Sequence, residues 1–300
     1  MCNEGGIVSK DNDSHESPEV KSDEVRDAVD SAKSRTVAKA TALSPRLIHE
    51  VIRYDGEEEL KRPFRSLFWS GIAAGVLISF SIIGKAMFNA YLPDEQWRPL
   101  IANFGYSFGF LLVILGRMQL FTENTIVTVL PMMARRTLQS AQELLKLWST
   151  VLLANVIGCL IAAAAMAYAN ILPAEIAAEV TGLSQKAMGL PALDSLARGV
   201  PAGILIAALV WMLPQASGSS FWVILLFTWL IGVCGFTHIV AGSVEMAYLL
   251  VSGDLGVGAA LTGFFIPVLA GNVIGGTLIF AFLAWAQVSD EIEDQPEDES

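Results

Sequence analysis

Two polar interruptions stand in the apolar part of the chain, GRMQLFTENTIV at residues 116–127 and GFTHIVAGSVE at 235–245. They carry Arg117, Gln119, Glu123, Glu245 and His238, the only histidine after residue 66. Imidazole takes up and releases protons near neutral pH, and it can act as donor or acceptor. An anion stripped of water would regain about 4 kcal/mol from an imidazolium at about 4 Å, at an effective dielectric near 20. The ring can also hand the anion a proton, so that a neutral acid crosses apolar surroundings. The plainer role is a neutral histidine that hydrogen-bonds a backbone carbonyl. Arg117 has two readings too: an ion pair with Glu123 or Glu245 that neutralises the interruption, or a cation that selects anions.

The elements that must hold these residues lie in a membrane. With 53% hydrophobic and 16% charged residues, the composition excludes a soluble domain. The net charge of −11 belongs to the ends: residues 67–289 hold 8 Lys/Arg and 9 Asp/Glu, whereas the last eleven residues hold 0 and 7. No basic surface calls for a nucleic-acid partner, and the acidic ends read as solvated tails. Residues 1–44, polar and nearly without aromatics, are expected to be disordered, and no cleavable leader is expected. Residues 45–66 carry Leu47, Ile48, Val51 and Ile52 on one face, then a break at Asp55-Gly56. That suits a helix on the membrane surface or on the protein's own cytoplasmic face. Residues 289–300 form an acidic tail. Cys2, Cys159 and Cys234 lack metal or redox spacing, so no disulfide, zinc site or cofactor is expected. With no cofactor loop and no nucleophile beside a base, an enzyme is not expected either.

Six apolar segments fill residues 67–288: 67–92, 100–134, 146–169, 197–214, 221–251 and 257–286. The second and fifth exceed one straight span and hold the interruptions. Lys61, Arg62, Arg65, Arg135, Arg136 and Lys146 put both termini in the cytoplasm. GIAAGVLI (71–78) answers GVPAGILI (199–206), VLLANVIGCLI (151–161) answers VLAGNVIGGTLI (268–279), and both interruptions contain Phe-Thr. The chain therefore reads as an all-α polytopic membrane protein with an inverted three-plus-three repeat and second and fifth helices broken at mid-membrane. A break is tolerated there only where protein or water lines it, and the helix ends that restart after it attract anions.

LFTENT, GFTHIVAGS and AGNVIGGTLI resemble the three motifs of the formate/nitrite transporter family, and the resemblance covers about residues 60–288. Its wording is similar to an inner-membrane branch. The resemblance implies an aquaporin-like pore in each protomer of a pentamer, in the inner membrane. The substrates implied are small monovalent anions or their weak acids, formate and nitrite foremost. His238 matches the central pore histidine, and Leu120, Thr122 and Thr237 lie on the loops. Tyr106 and Ile231 match a cytoplasmic constriction, Phe110 an outer apolar ring, Gly203 a pore-lining asparagine and Lys186, loosely, an outer lysine. Gln119 and Thr237 stand where the family commonly has glutamates, and Glu123 replaces a small residue. Those departures put the usual substrates in question. The alternatives are an aquaporin-type channel for neutral solutes, against which the missing Asn-Pro-Ala motifs speak, and a non-transporting scaffold.

Overall fold

The computed structural model describes residues 42–293, so most of the amino-terminal segment and the last seven residues lie outside it. Among the described residues the chain is all-helical, without a strand. Helix α1 (Pro45–Lys61) starts where Ser44 Oγ accepts from Leu47 N at 3.3 Å and Pro45 presets the first turn. The expected break at Asp55-Gly56 does not form. Gly56 marks a close approach instead, because a side chain there would strike the Val127 carbonyl and sit 2.8 Å from Pro131 Cγ. Ile48, His49, Ile52 and Gly56 of this helix are buried against the rest of the protein.

Helices α2 (Phe64–Leu77) and α3 (Ser79–Tyr91) make one bent run of 28 residues. Then come α4 (Arg98–Leu115), α5 (Phe121–Val127), α6 (Val129–Arg135) and the 31-residue α7 (Leu138–Tyr168). After α8 (Ala174–Met188) follow α9 (Ala192–Met212), α10 (Ser220–Val233) and α11 (Ile239–Ser252). The last run, α12, goes from Val257 to Glu293 with wide π turns at Ala260–Phe265 and Ile274–Ala281, and so extends into the expected acidic tail. Five of these runs are long and apolar enough to cross a bilayer, while α10 and α11, at 14 residues each, are too short alone. The chain is a multi-pass membrane protein.

Helix α8 was not foreseen between the third and fourth segments. Ile176, Val180 and Ser184, four apart, bury one side of it against α3 and α11, and Thr181 Oγ1 lies 3.2 Å from Tyr248 Oη. Its exposed positions mix Glu175, Gln185 and Lys186 with Ala174, Ala178 and Gly182, a pattern that disguised it as a connection.

The glycine pairs bring helices together. A side chain on Gly71 would meet Ala154 Cβ at 2.6 Å, and one on Gly75 would strike the Asn155 carbonyl. In the second half a side chain on Gly199 would meet Gly271 Cα at 3.1 Å, and one on Gly203 would strike the Asn272 carbonyl. Gly158 and Gly275 return the contact against the Ile72 and Val200 carbonyls. Without a hydrophobic driving force between helices in lipid, such close backbone packing is a main source of association.

Candidate functional site

Each interruption is built by one asparagine. Phe121 N donates to Asn155 Oδ1 at 3.0 Å, while Asn155 Nδ2 donates to the carbonyls of Gly71 at 2.9 Å and Gln119 at 2.8 Å. Ile239 N donates to Asn272 Oδ1 at 2.8 Å, and Asn272 Nδ2 donates to the carbonyls of Gly199 and Thr237, both at 2.9 Å. Each amide side chain thus satisfies two backbone groups that the broken helix leaves orphaned and ties them to a carbonyl of the neighbouring intact helix, α2 or α9. Leu120 and His238 precede the restarted helices with nearly equal extended backbones, φ −103 and −112. Arg117 and Gly235 both adopt left-handed backbone, φ +52 and +65, so the first loop forces an arginine into a conformation that the second gives to glycine.

The two restarts meet. Thr122 Oγ1 lies 2.8 Å from His238 Nε2, and His238 Nδ1 accepts the Ala241 N–H at 3.2 Å. A ring that accepts at Nδ1 carries its hydrogen on Nε2 when neutral, so Nε2–H donates to the threonine oxygen. Phe110 stands edge-on to the imidazole, ring centres 4.9 Å apart at 81°, and Tyr106 lies behind it at 5.4 Å, tilted by 50°. His238, Thr122, Leu120, Phe110 and Ile231 are each at most 2% exposed. The line of contact is closed.

On one side of this closure lies a cavity of about 590 Å³ lined by Asp55 and Glu59 of α1, by Arg117, Gln119 and Glu123, and by Ile224. Gln119 Nε2 donates to Glu59 Oε2 at 2.8 Å, tying the first loop to α1, and Glu123 Oε1 is buried without a hydrogen-bond partner. On the other side stands Lys85, its Nζ 5.8 Å above the Tyr106 ring, with Glu245 acting on it as opposite charge.

Several expectations change with this geometry. Arg117 pairs with neither Glu123 nor Glu245: among the described residues no carboxylate comes within 4.0 Å of it. Its left-handed backbone turns the exposed guanidinium into the cavity, where it needs no partner. Tyr106 lies one turn from Phe110, on the side away from the α1 cavity. Ile231 is buried next to Gly232, where a side chain would meet Tyr106 Cδ1 at 3.0 Å. Gly203 does not face the line at all; it belongs to the α9–α12 contact, as its missing side chain would point at Asn272. Thr237 turns its hydroxyl to the Ser195 carbonyl at 2.7 Å, away from the ring. Lys186 is exposed on α8. Lys85 was missed, although it is the one charged residue in segment 67–92 and that is its signal.

This arrangement, two interrupted helices whose restarts touch inside a helical membrane bundle, is that of a channel-like fold. The formate/nitrite transporter family model matches residues 46–286, and the chain belongs to that family. It is 42% identical over 248 residues to inner membrane protein YfdC of Escherichia coli K12, covering 83% of this chain and 80% of that protein. Among solved structures it resembles a pentameric formate channel with formate bound, with a TM-score of 0.65 and 22% identity over 75% of this chain and 98% of that one. It also resembles an FNT family ion channel, with a TM-score of 0.69 and 19% identity over 81% and 98%.

Proposed function

We propose that the chain is a passive or proton-coupled channel for small monovalent anions or their weak acids, with formate and nitrite as the leading candidates. The contact between Thr122 and His238 at the junction of the two restarted helices carries the reading. An anion entering there meets N-terminal helix ends from both halves and a ring that can supply a proton, with Phe110 and Leu120 excluding water. The matched asparagine caps and glycine contacts support six spans in an inverted three-plus-three repeat, with the second and fifth broken. On this reading residues 67–288 form the channel domain, both termini are cytoplasmic, and α1 roofs the inner cavity. The similarity to YfdC supports the inner membrane, and the pentameric formate channel supports a homopentamer.

The test is flux into proteoliposomes with formate, nitrite, hydrosulfide, lactate and glycerol in parallel. Anion or weak-acid flux is expected. Glycerol flux alone would replace this reading with a neutral-solute channel, and no flux of any kind would favour a scaffold. His238→Asn retains a capping side chain while removing the titration. At matched expression it is expected to lose the rise in weak-acid flux on acidification; an unchanged rise would make His238 a structural cap only.

A further inference from the structure

The line of side chains through His238 ends on an ammonium group with no contact ion pair. His238, Phe110, Tyr106 and Lys85 follow one another at 4.9, 5.4 and 5.8 Å. Among the described residues no carboxylate comes within 4.0 Å of Lys85 Nζ. Glu245 lies two helical turns past His238 on the same face of α11, and its charge acts on Lys85 from beyond ion-pair distance. Lys186 of α8 adds a like charge. A lysine at membrane depth is costly unless a partner answers it, and such residues mark substrate pathways. The Tyr106 face offers a partial answer through its π electrons. Among the described residues no hydrogen-bond acceptor answers its three N–H donors.

We propose that Lys85 is the centre of a second anion station on the far side of Phe110 from the α1 cavity, taking a small monovalent carboxylate or similar oxyanion, with Glu245 as a tethered rival. The proposal rests on the transport reading above. A lysine alone in a narrow pathway would hold an anion too long, and conduction needs binding strong enough to admit the ion and weak enough to release it. Glu245 provides the weakness. While the station is empty it balances the ammonium, and once an anion sits on Lys85 it repels that anion toward either exit. Tyr106 forms the floor of the station, and behind it Phe110 separates the visitor from His238.

The experiment measures initial formate uptake into proteoliposomes against concentration, together with the formate-dependent rise in Tm of the purified protein. Wild type is compared with Lys85→Met, Lys85→Arg, Lys186→Met and Glu245→Gln. Lys85→Met is expected to raise half-saturating formate by about tenfold or more, and Lys85→Arg by less than about threefold. Glu245→Gln is expected to lower it by about tenfold, enlarge the Tm rise and slow the saturated rate. Lys186→Met should have a smaller effect than Lys85→Met. A conducting wild type whose half-saturation is indifferent to Lys85→Met overturns the station and leaves the transport reading standing. Glu245→Gln that weakens formate binding as Lys85→Met does would reduce the two to a structural pair. If Lys85→Met does not fold, Glu245→Gln decides alone, since an unchanged half-saturation overturns the proposal. A wild type that conducts no anion and gains no Tm with formate removes the reading and the station together.

Discussion

Asn155 and Asn272 each pair one N–H and one carbonyl that the interruption would otherwise leave open in a water-poor interior, and each donates again to a carbonyl of the neighbouring helix. An unsatisfied buried group costs about 1–3 kcal/mol, so replacing either residue by leucine should destabilise the fold by roughly 3 kcal/mol or more. Thermal unfolding in detergent should show comparable losses for Asn155→Leu and Asn272→Leu. A large loss in one and none in the other would mean that the two interruptions are held differently. Gly203 belongs to this scale as well. Gly203→Asn should not open a polar lining but drive a side chain into the Asn272 carbonyl and Gly276 N, at a cost of about 1–3 kcal/mol or more from overpacking. Wild-type stability in that variant would refute the packing role.

Helix α1 couples its own titration to its docking. His49 is buried, and its Nδ1 lies 3.3 Å from Glu50 Oε1 while its Nε2 has no partner. Burial pushes the imidazole below its ordinary value of 6.5, against the opposing pull of the Glu50 carboxylate. The neutral ring is therefore favoured in the docked helix. Docking stability is fully present above about pH 6.5 and is lost as pH falls toward the lowered value, because the undocked ring takes up a proton first. Hydrogen exchange across Pro45–Lys61 should accelerate as pH falls below about 6.5, relative to the intrinsic rate, and His49→Gln should flatten that dependence. An equal acceleration in the variant would assign it to other groups. Glu50, held below its ordinary value by Arg53 despite partial burial, titrates in a lower window.

At the scale of the whole molecule, the inverted repeat proposed above would put the two loops on opposite sides of the closure. Arg117 lines the α1 cavity, and Cys234, exposed at the end of α10, adjoins the other loop. In a Cys2→Ser background a membrane-impermeant maleimide should modify Cys234 from the outside only, with Cys159 protected by burial. With Cys234→Ser and Arg117→Cys, labelling should require access from the cytoplasm. Labelling of both positions from one side would refute the inverted sense.

Apolar length, polar interruptions and paired small-residue motifs were enough to specify a membrane-spanning helical chain and to single out the two stretches that hold Thr122 and His238. Those properties are local or periodic: hydrophobic runs report burial in lipid, and a polar stretch inside one reports backbone that needs special partners. Where a side chain points after its backbone leaves the helix is not periodic. Arg117 precedes Glu123 by only six positions in the sequence yet forms no ion pair with it and faces a cavity, since its left-handed φ turns it outward. Gly203 reads as a pore position by its place in the chain, but the α9–α12 crossing consumes it. Gly56 reads as a breaker, whereas contact with α5 keeps α1 continuous through it. Lys85 and Glu245 are 160 positions apart, and only the packing of α3, α4 and α11 around Tyr106 brings their charges onto one line. Such placements depend on which helices cross and how closely, a choice made by backbone packing between segments distant in the chain.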